Sequence, residues 1–141
     1  MYKIREAGRE DFPKIAAIHN TPDHLHLQIE NPIDKQYFDM VISANDIKMY
    51  VVEKSGIVAA FILFRFDNDQ VISIEKFSID KSYRKKGLDE HLYHKVERLA
   101  LRKGMKRMVI RKKIDNPDVY DFFERKGWQQ STEKDQFEIE F

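Results

Sequence analysis

The stretch Phe77-Ser-Ile-Asp-Lys-Ser-Tyr-Arg-Lys-Lys-Gly-Leu-Asp-Glu-His-Leu92 constrains this chain most. An apolar strand runs to Ile79, a short basic loop with one glycine follows, and a helix opens at about Gly87. Leu88, Leu92, Val96, Leu99 and Ala100 form one apolar stripe along that helix, and Gly104 suits its stop. Met105 to Lys112 then reads as a strand. A strand that returns after a crossing helix lies parallel to the first, so the sheet holds at least one parallel pair. The loop also directs several backbone N–H groups outward at a helix start. With the helix dipole behind them, these orphan donors make a site for an anion.

The segments around this unit read in order. Tyr2 to Arg5 alternates as a first strand. Asp11 is a candidate cap for a helix with Phe12, Ile15, Ala16 and His19 on one face and Pro13 in its first turn. After a polar loop, Ile33, Tyr37, Phe38, Val41 and Ile42 predict a second helix from about Pro32 to Asn45. Lys48–Glu53, Ile57–Phe66 and Val71–Ile79, separated by turns at Ser55-Gly56 and Asp67-Asn-Asp69, predict an antiparallel meander. Asn116 with Pro117 opens a last helix that carries Val119, Phe122 and Phe123 and stops at Gly127. Trp128 starts a strand, and Gln136 to Phe141 is another. The order β-α-α-β-β-β-α-β-α-β-β predicts an α/β mixed sheet with helices packed on it, in one domain over residues 1–141.

Composition limits the chemistry. The 141 residues contain no cysteine, which excludes disulfides, zinc–thiolate sites and a thiol nucleophile. No segment has the length and apolarity of a membrane span, and the first residues lack a leader-like apolar run, so a cytoplasmic protein is expected. Net charge is +1 but uneven. Residues 81–113 hold thirteen Lys or Arg against Asp89, Glu90 and Glu97, so this segment is +10 and the remainder −9. That asymmetry favours a polyanionic ligand, either a nucleotide cofactor or a nucleic acid, unless the two regions pair with each other.

The central stretch and its downstream partner resemble the GNAT family of N-acetyltransferases. Arg84-Lys85-Lys86-Gly87-Leu88-Asp89 is similar to the family's Gln/Arg-x-x-Gly-x-Gly/Ala loop. Asn116-Pro-Asp-Val-Tyr-Asp-Phe-Phe-Glu-Arg-Lys-Gly-Trp128 resembles Asn-x-x-Ala-x-x-Phe-Tyr-x-x-x-Gly-Phe. The resemblance implies acetyl-CoA as cofactor. Its pyrophosphate would sit on the amides from Arg84 to Glu90, and its pantetheine arm would pair with the backbone of Phe77 and Ile79 between splayed parallel strands. Asn116 would contact that arm or cap its helix. It implies transfer of an acetyl group to a primary amine of a small molecule or a peptide; separately, a monomer or a homodimer is expected.

Two positions depart from the family pattern. Asp89 stands where glycine or alanine lets the backbone approach the phosphates, and repulsion between unit charges at about 4 Å is roughly 1–4 kcal/mol. Phe123 stands at the position of the proton-donating tyrosine, so Tyr120, one turn earlier, or water must serve. These departures motivate a second reading, a GNAT-fold binding or structural protein without catalysis.

Glu75 on the fourth strand is the candidate general base, set against an ordinary solvated strand glutamate. His19, Asp23, His24 and His26 cluster in the region that would line the acceptor site; acceptor contact or plain surface is the expectation there, and metal binding is not. His91 and His94 read as surface or packing residues beside the apolar stripe. Arg102, Lys103, Lys106, Arg107, Arg111, Lys112 and Lys113 could form a nucleic-acid surface, but no recognition motif accompanies them, so nucleic acid ranks third.

Overall fold

The computed structural model describes residues 2–20, 32–132 and 134–141. Its strands are β1 (Tyr2–Glu6), β2 (Ile47–Lys54), β3 (Ile57–Phe66), β4 (Val71–Ile79), β5 (Arg107–Ile110), β6 (Gln129–Gln130) and β7 (Phe137–Glu140). All seven lie in one sheet, in the order β1-β2-β3-β4-β5-β7-β6. The helices are α1 (Phe12–Asn20), α2 (Lys35–Ser43), α3 (Leu88–Arg102) and α4 (Pro117–Glu124). β1 to β4 are joined antiparallel, β5 runs parallel to β4, and β7 returns antiparallel. The expected mixed sheet is therefore present.

The alternation of β2 and β3 divides the core into two layers. Val52, Ile62, Phe64, Ile72, Ile74, Phe77 and Ile79 face α3 and α4. Met49, Val51, Phe61 and Leu63 face α1 and α2, against Ile15, Ile18, Phe38 and Val41. Each helix buries one apolar stripe, so apolar area removed from water holds the layers together. Under α4 the packing is aromatic. The Phe123 ring lies 4.9 Å from that of Trp128, and the Trp128 indole N–H donates to the buried Tyr93 hydroxyl at 2.8 Å.

Several boundaries differ from the sequence reading. Asp11 does not cap α1. It lies in a short 3-10 turn, accepts the Gly8 N–H at 2.7 Å, and holds the Arg5 guanidinium at 2.7 and 2.9 Å. Its carboxylate thus ties the end of β1 back to the turn instead of serving the helix that follows. α2 begins at Lys35, because the Asp34 side chain accepts the Tyr37 N–H at 2.8 Å and fixes the start there. β5 is shorter than Met105–Lys112, and β6 is only two residues long.

Two irregularities shape β4. Its ladder with β3 skips from Leu63↔Lys76 to Phe64↔Ile74, so Glu75 is the extra residue of a β-bulge. Its parallel ladder with β5 comprises three pairs, Val71↔Arg107, Ile72↔Met108 and Ser73↔Val109. Beyond Ser73 the two strands separate.

Candidate active site

The separation leaves residues 74–79 of β4 paired to β3 on one side and outside the β5 ladder on the other. A strand edge of this kind presents alternating N–H and C=O groups, which an extended ligand can pair with. Phe77 and Ile79 lie on this length, as the sequence reading requires.

At the end of β4 the chain turns sharply. The Asp80 side chain accepts the Ser82 N–H at 3.0 Å, and its carbonyl accepts the Tyr83 N–H at 2.8 Å. Asp80 also forms an ion pair with Lys14 of α1. Burial alone would raise the Asp80 carboxyl; the Lys14 ammonium, the Ser82 N–H and Arg84 hold it below the ordinary carboxylate range. A cavity of about 160 Å³ between α1 and this turn is lined by Lys14, Ile18, Ile79, Asp80, Lys81 and Arg84.

Lys85 and Gly87 both take positive φ, 64° and 78°. Two left-handed residues in three turn the backbone so that α3 starts directly behind Gly87, and a Cβ built on Gly87 would meet nothing within 4 Å. The space above the glycine is open. His91 N–H is bonded to Gly87 O at 3.2 Å, so the N–H groups of the first turn have no carbonyl acceptor within the helix. One of them is engaged by the departure from the family pattern, since Asp89 Oδ1 accepts the Glu90 N–H at 2.9 Å. The carboxylate takes up one amide of the first turn of α3. The loop and the gap fit a phosphate-bearing extended ligand, with Asp89 opposing its tightest approach.

On the α4 side, Asn116 caps the helix, its Oδ1 accepting from Asp118 N–H at 2.9 Å and Val119 N–H at 3.4 Å. Phe123 is 1% exposed, with its ring 6.4 Å from that of Phe77. The Tyr120 ring is 5.0 Å from that of Phe137 on β7, a ring that Phe123 also approaches at 6.5 Å, and burial together with the nearby Glu124 and Asp121 carboxylates raises the Tyr120 hydroxyl. The structure brings Phe123 against Phe77 of β4.

The opposite side of β4 carries a polar cluster. The bulge shifts the alternation so that Glu75 and Lys76 both serve the α1/α2 side. Glu75 accepts from Arg65 at 2.8 Å. The Lys76 ammonium is 3.1 Å from His19 Nε2 and 5.9 Å from the Tyr37 ring centroid. Lys76 is 5% exposed and His19 1%. Burial lowers the Lys76 amine, with Glu75 acting in the opposite sense. Ser78, on the same side by alternation, is fully buried, and its Oγ has no hydrogen-bond partner among the described residues. Asp67, Ser73, Arg111 and Gln136 extend the polar surface toward β5 and β7.

The sequence reading missed Lys76 and the burial of His19. The signal was the spacing Ile72, Ile74, Phe77, Ile79, which slips by one residue where the bulge falls. Asp23, His24 and His26 lie outside the described residues. Among the described residues, no group of three or more His, Cys, Asp or Glu could hold a metal ion, and no helix is long and apolar enough to cross a membrane. Arg111 is committed to Asp67 and Gln136, so the basic strand end is partly neutralised.

Comparison with known proteins gives a concordant result. The sequence profile described as Acetyltransferase (GNAT) family matches residues 3–128. Among solved structures, the chain is similar to the PaiA N-acetyltransferase from Thermoplasma acidophilum in complex with coenzyme A. That match has 14% identity and a TM-score of 0.79, and covers 100% of this chain and 99% of that one. The ribosomal-protein-S18-alanine N-acetyltransferase from Escherichia coli matches at 16% identity and a TM-score of 0.76, covering 99% and 90%. A spermidine N-acetyltransferase SpeG mutant from Vibrio cholerae matches at 14% identity and a TM-score of 0.75, covering 99% and 93%. At these identities the structural likeness speaks for the fold.

Proposed function

The chain belongs to the GNAT acetyltransferase family, and from that premise we propose that it is an acetyl-CoA-dependent N-acetyltransferase acting on a primary amine, in one domain spanning residues 1–141. The observation that carries this reading is the parallel ladder that stops at Ser73↔Val109, below a loop whose glycine leaves open space. Arg84, Lys85, Lys86, Gly87, Leu88 and Asp89 would hold the pyrophosphate, largely through backbone N–H groups. Phe77 and Ile79 would pair with the pantetheine arm, and a β4 N–H would face the oxygen that gains charge as the amine attacks. Asn116 holds the start of α4 beside the arm, and Phe123 forms an apolar wall in place of a proton donor.

The amine must be uncharged to attack. Glu75 receives its proton directly or through water, and the Arg65 pairing orients that carboxylate. The departing thiolate is protonated by water or by Tyr120. Tyr120→Phe separates these: a rate unchanged within about twofold assigns the proton to water, and a loss of about a hundredfold assigns it to Tyr120.

The acceptor is a small-molecule or peptide amine, with polyamines, aminoglycosides, peptide N-termini and lysine side chains all compatible with the fold. Titration calorimetry with acetyl-CoA tests the first step, and thiol release on a panel of these amines tests the second. Absence of binding at millimolar acetyl-CoA contradicts the reading. The Asp89–Glu90 contact and the buried Phe123 favour one alternative, a member that binds acetyl-CoA without turnover. Binding without thiol release on any panel amine would establish that alternative.

A further inference from the structure

The polar side of β4 contains an amine of its own. Lys76 is adjacent to Phe77, whose backbone the proposed function assigns to the pantetheine arm, and the bulge at Glu75 directs its side chain to the side that α1 and α2 cover. Its Nζ meets His19 Nε2 at 3.1 Å. The histidine's tautomer follows from its other contact. His19 Nδ1 is 2.8 Å from Asn20 Oδ1, and that oxygen also accepts the Ile33 N–H at 3.2 Å. An oxygen acceptor requires the proton on Nδ1, so Nε2 presents its lone pair to Lys76.

A desolvated lysine beside a proton acceptor is the arrangement that makes an amine nucleophilic. Burial of Lys76 favours its neutral form, while Glu75 and the Tyr37 ring favour the ammonium. At 5% exposure the side chain is closed to a second enzyme but lies beside the strand that would carry the thioester.

We propose that Lys76 is a self-acetylation site, modified in cis from acetyl-CoA with His19 as the proton acceptor. Lys76 Nζ attacks the thioester carbonyl carbon. A C–N bond forms, the C–S bond breaks, the Nζ proton passes to His19 Nε2 and on to solvent, and the thiolate leaves to be protonated as free coenzyme A. The product is a neutral amide that removes one positive charge from the acceptor side of the sheet. The inference rests on the proposed binding of acetyl-CoA.

The test is peptide mapping by mass spectrometry after incubation with acetyl-CoA and no acceptor, alongside calorimetric titration of the same preparation. The expected result is one acetyl group on Lys76, accumulating at least about tenfold faster than on exposed Lys54, and slowed at least about tenfold in His19→Gln with acetyl-CoA affinity retained. Lys76→Arg should bind acetyl-CoA and lose that acetyl group. Binding without modification of Lys76, or modification no faster than at Lys54, overturns the inference and leaves the proposed function standing. An unchanged rate in His19→Gln overturns the role given to the histidine pair. Absence of binding removes both readings together.

Discussion

The two candidate regions of β4 are built differently. The loop at its end is made of backbone: two left-handed residues, an open glycine and the first turn of α3. The bulge in its middle is made of side chains, namely Glu75 with Arg65 and Lys76 with His19. A backbone site tolerates much side-chain change, because its donors are present whatever the residue, provided glycine stays where φ is positive. A side-chain site depends on register, since one inserted residue decides which groups face the helices. The first region should therefore govern affinity for the acyl donor, and the second should govern rate and acceptor choice.

Substitutions that separate affinity from rate test this contrast. Glu75→Gln should lower kcat/KM on the accepted amine by about a hundredfold or more, with acetyl-CoA affinity unchanged in calorimetry. An equal loss of affinity would merge the two regions. Gly87→Val places a β-branched residue at φ 78°, a conformation that costs roughly 1–2 kcal/mol, and fills the open space. It should weaken acetyl-CoA at least about tenfold while the fold persists in circular dichroism.

Asp89→Ala acts in the opposite direction. It removes a charge of about 1–4 kcal/mol repulsion from the phosphates and releases the Glu90 N–H, so affinity should rise about tenfold. Weaker binding would show that the carboxylate organises the loop rather than opposing the ligand.

Asp11 is a control whose side-chain partners, Arg5 and Gly8, belong to neither region. Burial would raise its carboxyl, but Arg5 and the Gly8 N–H hold it below its ordinary 3.8. A carboxyl lowered on folding stabilises the native state above the unfolded value and loses that contribution as pH falls through the lowered one. Asp11→Asn should thus be less stable than wild type in urea at neutral pH, with the difference shrinking below about pH 4. Acetyl-CoA affinity should not change.

The backbone region was legible because its signals are local. Gly87 after three cations, a strand before and an apolar stripe behind it, and Asn116-Pro117 downstream all sit where propensity and capping rules apply. The meander followed from turns at Gly56 and Asn68. The side-chain region was less legible because its contacts join separate elements: Arg65 and Glu75 are 10 residues apart on neighbouring strands. His19 and Lys76 are 57 residues apart. Read by plain alternation, Glu75 had no defined side; only the slip between Ile74 and Phe77 revealed it. Asp11 misled for a different reason: its carboxylate turns back to Arg5 and the Gly8 N–H, six and three residues earlier, instead of forward onto α1.

The separation of β4 from β5 is the proposed seat of the acyl donor. Amide hydrogen exchange with and without acetyl-CoA measures this directly. Slower exchange at residues 77–79 and 85–90, with residues 71–73 unchanged because they are already paired to β5, is the expected result. Protection confined to other segments, or none at saturating acetyl-CoA, would contradict it.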